Sequence, residues 1–203
     1  MIKLDHIAIS GKTLDEASDY IESTLGVKVQ EGGCHDCYGT HNRLLRLGGR
    51  IYLEAIAINP KATKVTHPRW FDLDNFNRKP QITNWVCSSK NINREAKRLG
   101  FKTSEIIKIE RDQLEWLMTV PRDGKLPFDG ACPSILQWRT TTPIKELNPS
   151  GCELKHLTIF HPDAATLREK MKALTDSRIS FELNHQVSFF AEFDTPHGIR
   201  STN

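Results

Sequence analysis

The residues best suited to chemistry are two histidines and a carboxylate set in apolar runs. His6 stands in Leu4-Asp5-His6-Ile7-Ala8-Ile9-Ser10, His156 in Leu154-Lys155-His156-Leu157-Thr158-Ile159-Phe160, and Glu54 in the run from Ile51 to Ile58. Strand alternation puts His6 on one face with Leu4 and Ala8, and Glu54 on one face with Tyr52 and Ile56. A carboxylate in the middle of such a strand is costly to bury unpaired. Metal coordination removes that cost; so does an arginine on a neighbouring strand, Arg43 or Arg46. Two histidines and one carboxylate with open positions suit a divalent metal, Zn, Fe, Mn or Ni. Such a centre would hold two neighbouring substrate oxygens and stabilise an enolate-like state, with Glu54 as the catalytic carboxylate. In the competing reading each histidine is hydrogen-bonded within the core and Glu54 pairs with an arginine.

Two smaller motifs bear on binding. In Gly39-Thr40-His41-Asn42, just before a strand, His41 and Asn42 can orient a substrate, or the segment is simply a tight turn. Cys34-His35-Asp36-Cys37 is a CxxC with no helix signalled behind it. It therefore reads as a loop with two free thiols rather than a redox motif. Zinc binding by Cys34, Cys37, Cys152 and His156 fits the spacing alone.

The elements that must position these residues repeat. The first strand runs into Thr13-Leu14-Asp15-Glu16, a capping-box pattern, and Leu14, Ala17, Ile21 and Leu25 recur at helical spacing up to Gly26. Strand-like runs follow at Val27 to Val29, Arg43 to Leu47 and Ile51 to Ile58. The same order returns from Ile82, with Asn84 at the place of His6, a helical stripe of Ile92, Ala96 and Leu99 ending at Gly100, and strands at 104–109, 114–120 and 134–138. A third start, at Leu154, puts His156 at the place of His6. It is followed by the stripe Leu167, Met171 and Leu174 and by strands at 181–183 and 187–193, one strand short. The predicted organisation is one unit over 1–203 with modules 3–58, 81–139 and a shortened 153–203.

Composition narrows the function classes. The chain has 203 residues, 38% apolar and 26% charged, ordinary values for a globular protein. A net charge of +3 with interspersed signs, as in Arg168-Glu169-Lys170, argues against a nucleic-acid partner. No apolar run reaches membrane-spanning length. Five scattered cysteines suit a reducing compartment, so a cytoplasmic location is expected.

Leu4-Asp5-His6, Gly39-Thr40-His41-Asn42, Tyr52-Leu53-Glu54, Leu126-Pro127-Phe128, Gln137-Trp138 and Leu154-Lys155-His156 together resemble the glyoxalase-like domain family of the vicinal oxygen chelate superfamily. That resemblance implies an α+β fold of repeated βαβββ modules forming curved, cup-shaped mixed or antiparallel sheets. It also implies a cup metal held by an opening-strand histidine and a closing-strand carboxylate, here His6, Glu54 and His156. Gln137 matches Glu54 in the second module, and Trp138 beside it is the tryptophan expected to face the cup, both as substrate-binding residues. The sequence departs from the pattern at Asn84 and Gln137, which are neutral amides, and after Gly198, where no acid stands. Two functions remain: a metal-dependent lyase, isomerase or dioxygenase acting on a small oxygenated molecule, and a metal-free small-molecule binding or resistance protein. A small-molecule ligand is the expected partner, and a homodimer is left open.

Overall fold

The computed structural model describes residues 1–203, the side chain of residue 103 excepted. The first module comprises β1 (Ile2–Ser10), α1 (Leu14–Leu25), β2 (Gln30–His35), β3 (Thr40–Arg46) and β4 (Tyr52–Ile58). The second comprises β5 (Gln81–Ser89), α2 (Ile92–Leu99), β6 (Ile106–Arg111), β7 (Leu114–Thr119) and β8 (Ser134–Trp138). The third comprises β9 (Glu153–His161), α3 (Ala164–Lys170), β10 (Ile179–Leu183), β11 (Ser188–Thr195) and β12 (Gly198–Thr202). The α1 cap forms as the sequence indicates: Thr13 Oγ1 accepts from Glu16 N, Glu16 Oε2 accepts from Lys12 N, and Gly26 closes the helix at φ 74°.

The first two modules make one eight-stranded sheet in the order β2-β3-β4-β1-β5-β8-β7-β6. In each, the last strand returns to lie parallel to the opening strand, and the two opening strands meet antiparallel at the centre. The sheet curls until β2 approaches β6, so its outer strands face one another across a cup. This is the expected α+β architecture. The helices cover the other side, where Leu14, Ala17 and Ile21 of α1 and Ile92, Ala96 and Leu99 of α2 are buried.

The third unit differs from the expectation in two ways. It is not a strand short, because β12 follows β11 as a hairpin. Its pairing is also new: the order is β10-β9-β11-β12, so the first strand after the helix, not the last, lies parallel to the opening strand. A strand–helix–strand crossover of this kind needs only a short helix, and α3 has seven residues. Trp85 alternates to the side opposite Asn84 and Val86. There it packs against Phe181 of β10, ring centroids 6.0 Å apart, so this small sheet backs the large one on the side away from the cup.

The opening strands share one irregularity. A β-bulge leaves Asp5, Thr83 and Lys155 as the extra residue just before His6, Asn84 and His156 respectively. Such a bulge re-aims the side chains around it.

Candidate functional site

On the cup floor the bulge turns Asp5, which strict alternation would send to the helix side, toward His6. Asp5 Oδ1 accepts from His6 Nδ1 at 2.9 Å, and Asp5 Oδ2 accepts from Trp138 Nε1 at 2.9 Å. His6 Nε2 faces Glu54 Oε2 at 3.5 Å, and Asn42 Nδ2 donates to Glu54 Oε1 at 2.6 Å. The ring of Tyr52 stacks on His6, centroids 4.6 Å apart and 17° between planes. Glu54 therefore finds its partners in His6 and Asn42 rather than in an arginine. Arg43 pairs with Asp15 and Glu31 instead, and Arg46 donates to the carbonyl of Leu147.

The second module closes this network. Arg111, at the end of β6, places Nη1 3.1 Å from His35 Nε2 and 3.2 Å from Asn42 Oδ1. His35 Nδ1 meets Thr40 Oγ1 at 3.1 Å. The close approach of β2 depends on Gly32-Gly33, where a further bulge sits. A Cβ on Gly32 would strike Asn42, and one on Gly33 would lie 2.9 Å from Arg111 Cδ. Gly33 N also donates to Asn42 Oδ1 at 2.8 Å.

Electrostatics fix the charges of the pair. Burial by itself disfavours the imidazolium of His6, but its hydrogen bonds to Asp5 and Glu54 outweigh that and raise its pKa to about 9. Burial likewise disfavours the carboxylate of Glu54, yet the hydrogen bond and charge of His6 bring it down to about 2. These shifts are two views of one ion pair. His35 is lowered to about 4, first by burial, with Arg111 adding to the effect, so it stays neutral and can accept from the guanidinium. Burial holds the Tyr52 hydroxyl well above its usual range, so it stays protonated.

Of the residues expected to form the site, the structure brings together His6, Glu54, Asn42 and Trp138, all lining the cup. His156 does not join them. It lies on β9 in the backing sheet, with Nε2 3.0 Å from Ser180 Oγ, because its module pairs differently and presents its opening strand elsewhere. His41 alternates away from Thr40 and Asn42 to the side of Arg43, facing α1. Gln137 is not the counterpart of Glu54. With Ser88 laid on Ser10, Glu54 opposite Ala8 corresponds to Ser134 opposite Val86. Gln137 instead caps α2, its Oε1 accepting from Ile92 N at 3.1 Å. Cys34 and Cys37 are exposed free thiols at the β2–β3 turn, and β2 reaches His35, so the expected loop is partly strand.

The donor set does not fit a resident metal of the expected kind. A catalytic centre of that type draws three protein ligands, whereas here only His6 and Glu54 of the expected three converge. Among the described residues no group of three or more His, Cys, Asp and Glu side chains could hold a metal ion. A guanidinium also lies in the same network, bonded to Asn42.

Sequence reasoning missed His35, Arg111 and Asp5. Asp5 and Arg111 carry no local signal, since one is re-aimed by a bulge and the other ends a strand of alternating charge. His35 was hidden because the strand that carries it runs through Gly32-Gly33, which gives no strand signal. What remains open in the cup is about 30 Å³, with Trp70, Phe71, Trp116 and Trp138 filling its mouth and walls.

Among solved structures, a hypothetical protein from Staphylococcus aureus matches with a TM-score of 0.66 at 15% identity, over 93% of this chain and 88% of that one. A methylmalonyl-CoA epimerase from Mycobacterium tuberculosis matches with a TM-score of 0.43 at 18% identity, over 71% and 91%. A methylmalonyl-CoA epimerase variant from Streptomyces coelicolor, in complex with 2-nitronate-propionyl-CoA, gives 0.44 at 15%, over 68% and 97%. No curated protein matches the sequence significantly. The model of the glyoxalase-like domain matches residues 4–175, most of the length and all of the cup, so the chain belongs to the glyoxalase-like domain family.

Proposed function

We propose that the chain binds a small oxygenated molecule, a carboxylate or α-keto acid, in the cup without a resident metal. The observation that supports this is a pair of unanswered donors. Arg111 Nε and Trp70 Nε1 are buried without a partner, and both residues line the cup. A buried donor left unmade is costly, so the site is organised for acceptor atoms that a ligand supplies. The polar floor favours binding over acid–base turnover in the resting state. Glu54 is held well below neutral pH and His6 well above it, whereas an efficient proton-transfer group titrates near the operating pH. A ligand larger than water needs more than the free volume present. Phe71 is the wall residue suited to give way, since it sits at φ 60°, a strained conformation for a bulky residue, while Trp70 stays to donate.

The test is pyruvate titrated into metal-analysed protein while the fluorescence of the cup tryptophans is followed. Saturable quenching is expected and should survive a chelator. Trp70→Phe should weaken binding several-fold, and Arg111→Met more than tenfold. Stoichiometric metal in the purified protein, with binding abolished on chelation, would overturn this reading in favour of a metal-dependent enzyme.

A further inference from the structure

Outside the cup lies a second, larger cavity of about 410 Å³. Its walls come from the start of β5, from the loops 71–78 and 125–130, and from β11 of the third unit, with Phe71, Phe76, Leu126, Val187 and Phe189 as apolar lining. Phe71 is shared with the cup and forms the partition between the two. At this cavity stands Asn84, the second module's counterpart of His6. It is 3% exposed, and its Oδ1 is buried without a hydrogen-bond partner. An unpartnered amide acceptor just beneath the wall of a cavity large enough for a small organic molecule is a site awaiting a donor.

Two further observations converge here. Five non-glycine residues have left-handed backbone: Phe71, Asp72, Asp112, Phe128 and Asp129. Four of them form two Phe–Asp pairs, one in each loop that borders the cavity. Strain of this kind persists only where the surroundings over-determine it, and it gathers at ligand clamps. Val187 and Phe189 also lie beyond residue 175, where the family match ends, so this wall is supplied by the chain's own third unit.

We propose that this cavity is a second ligand site, taking a small aromatic molecule that carries a hydroxyl or amino group. The ring lies among Phe71, Phe76 and Phe189, and its O–H or N–H donates to Asn84 Oδ1. Aromatic walls favour a flat apolar body by edge-to-face and stacked contacts. The single buried acceptor selects for a donor, because an analogue without one leaves that acceptor unpaired.

The experiment compares p-cresol with 4-methylanisole, its donor-less ether, titrated into the full-length ¹⁵N-labelled protein. Saturable shifts are expected at residues 82–84, 126–130 and 187–189, with p-cresol bound about tenfold more tightly. Asn84→Leu, which keeps the shape and loses the amide, should abolish that preference. Val187→Trp, which fills the cavity and removes no polar group, should block both probes even if the first variant fails to fold. The proposal falls if the two probes bind equally, if Asn84→Leu keeps the preference, if the shifts appear at the cup residues His6, Tyr52 and Trp138 instead, or if no saturable shift is seen.

Discussion

Leu4-Asp5-His6 and Leu154-Lys155-His156 open two strands with the same bulge and a histidine at the same place, yet only the first belongs to the cup. The register explains the contrast. Beside β1 the parallel neighbour is the closing strand of its own module, which sets Glu54 opposite Ala8. Beside β9 it is the strand directly after the helix, which sets Ser180 opposite Thr158, the equivalent position. Asp5 is then buried and bonded to His6, while Lys155 is exposed. A repeated histidine has the chemistry of the strand laid next to it. The middle module makes the same point with Thr83, Asn84 and Ser134 in the three places, where Thr83 Oγ1 meets Ser10 Oγ at 2.7 Å.

Removing the neighbour should produce the largest difference. Glu54→Leu leaves the His6 cation buried without its facing charge and should cost about 3–5 kcal/mol in urea unfolding near neutral pH. Ser180→Ala, at the matched place, should cost about 1 kcal/mol or less. A comparable loss at both positions would break the distinction between the two strands.

Stability against pH sharpens it further. The folded pKa of His6 is raised to about 9, so its contribution is fully present below about 6.5 and is lost as pH rises through about 9. The folded pKa of His35 is lowered to about 4, so stability falls as pH drops from about 6.5 through about 4. The wild-type curve should therefore decline on both sides. The Glu54→Leu variant should lose most of the alkaline decline and keep the acid one, which NMR titration of the imidazole protons can assign. An unchanged alkaline limb would contradict the pairing.

Smaller again is the bulge residue. Asp5→Asn weakens the charged acceptor for His6 Nδ1 and Trp138 Nε1 and should cost about 2 kcal/mol. Lys155→Asn should stay within about 0.5 kcal/mol. For the cup itself the smallest effect is expected of His156→Ala. It removes a half-buried bond to Ser180 at the cost of about 1 kcal/mol or less, and should leave pyruvate binding in the cup unchanged. Loss of that binding would put His156 back in the site.

Much of the fold was legible because local rules and global pairing agree in the first two modules. The Thr13 cap, the glycine stops at Gly26 and Gly100 and the apolar runs of β1, β5 and β8 all specify the elements that form. Within the site, Glu54 was legible for the same reason, as a polar residue placed by alternation on an apolar strand. Asn42, by contrast, was grouped with His41 in a turn, and only the strand Thr40–Arg46 separates the two onto opposite faces. The strand of Gly32-Gly33 was obscured because glycine carries no β signal, although its lack of a side chain is what admits Asn42 and Arg111.

The sequence by itself determined three strand–helix–strand starts, two of them with a histidine, and a buried carboxylate needing a partner. Only tertiary structure decided that modules one and two share a sheet, that the third turns its strands another way, and that Arg111 reaches Asn42 from 69 residues along the chain. The physical reason is that burial patterns record which face of a strand is dry, a property each strand carries in its own alternation. Which strand lies alongside, and whether a bulge turns a side chain like that of Asp5 across the sheet, depends on pairings between distant segments that leave no periodic trace.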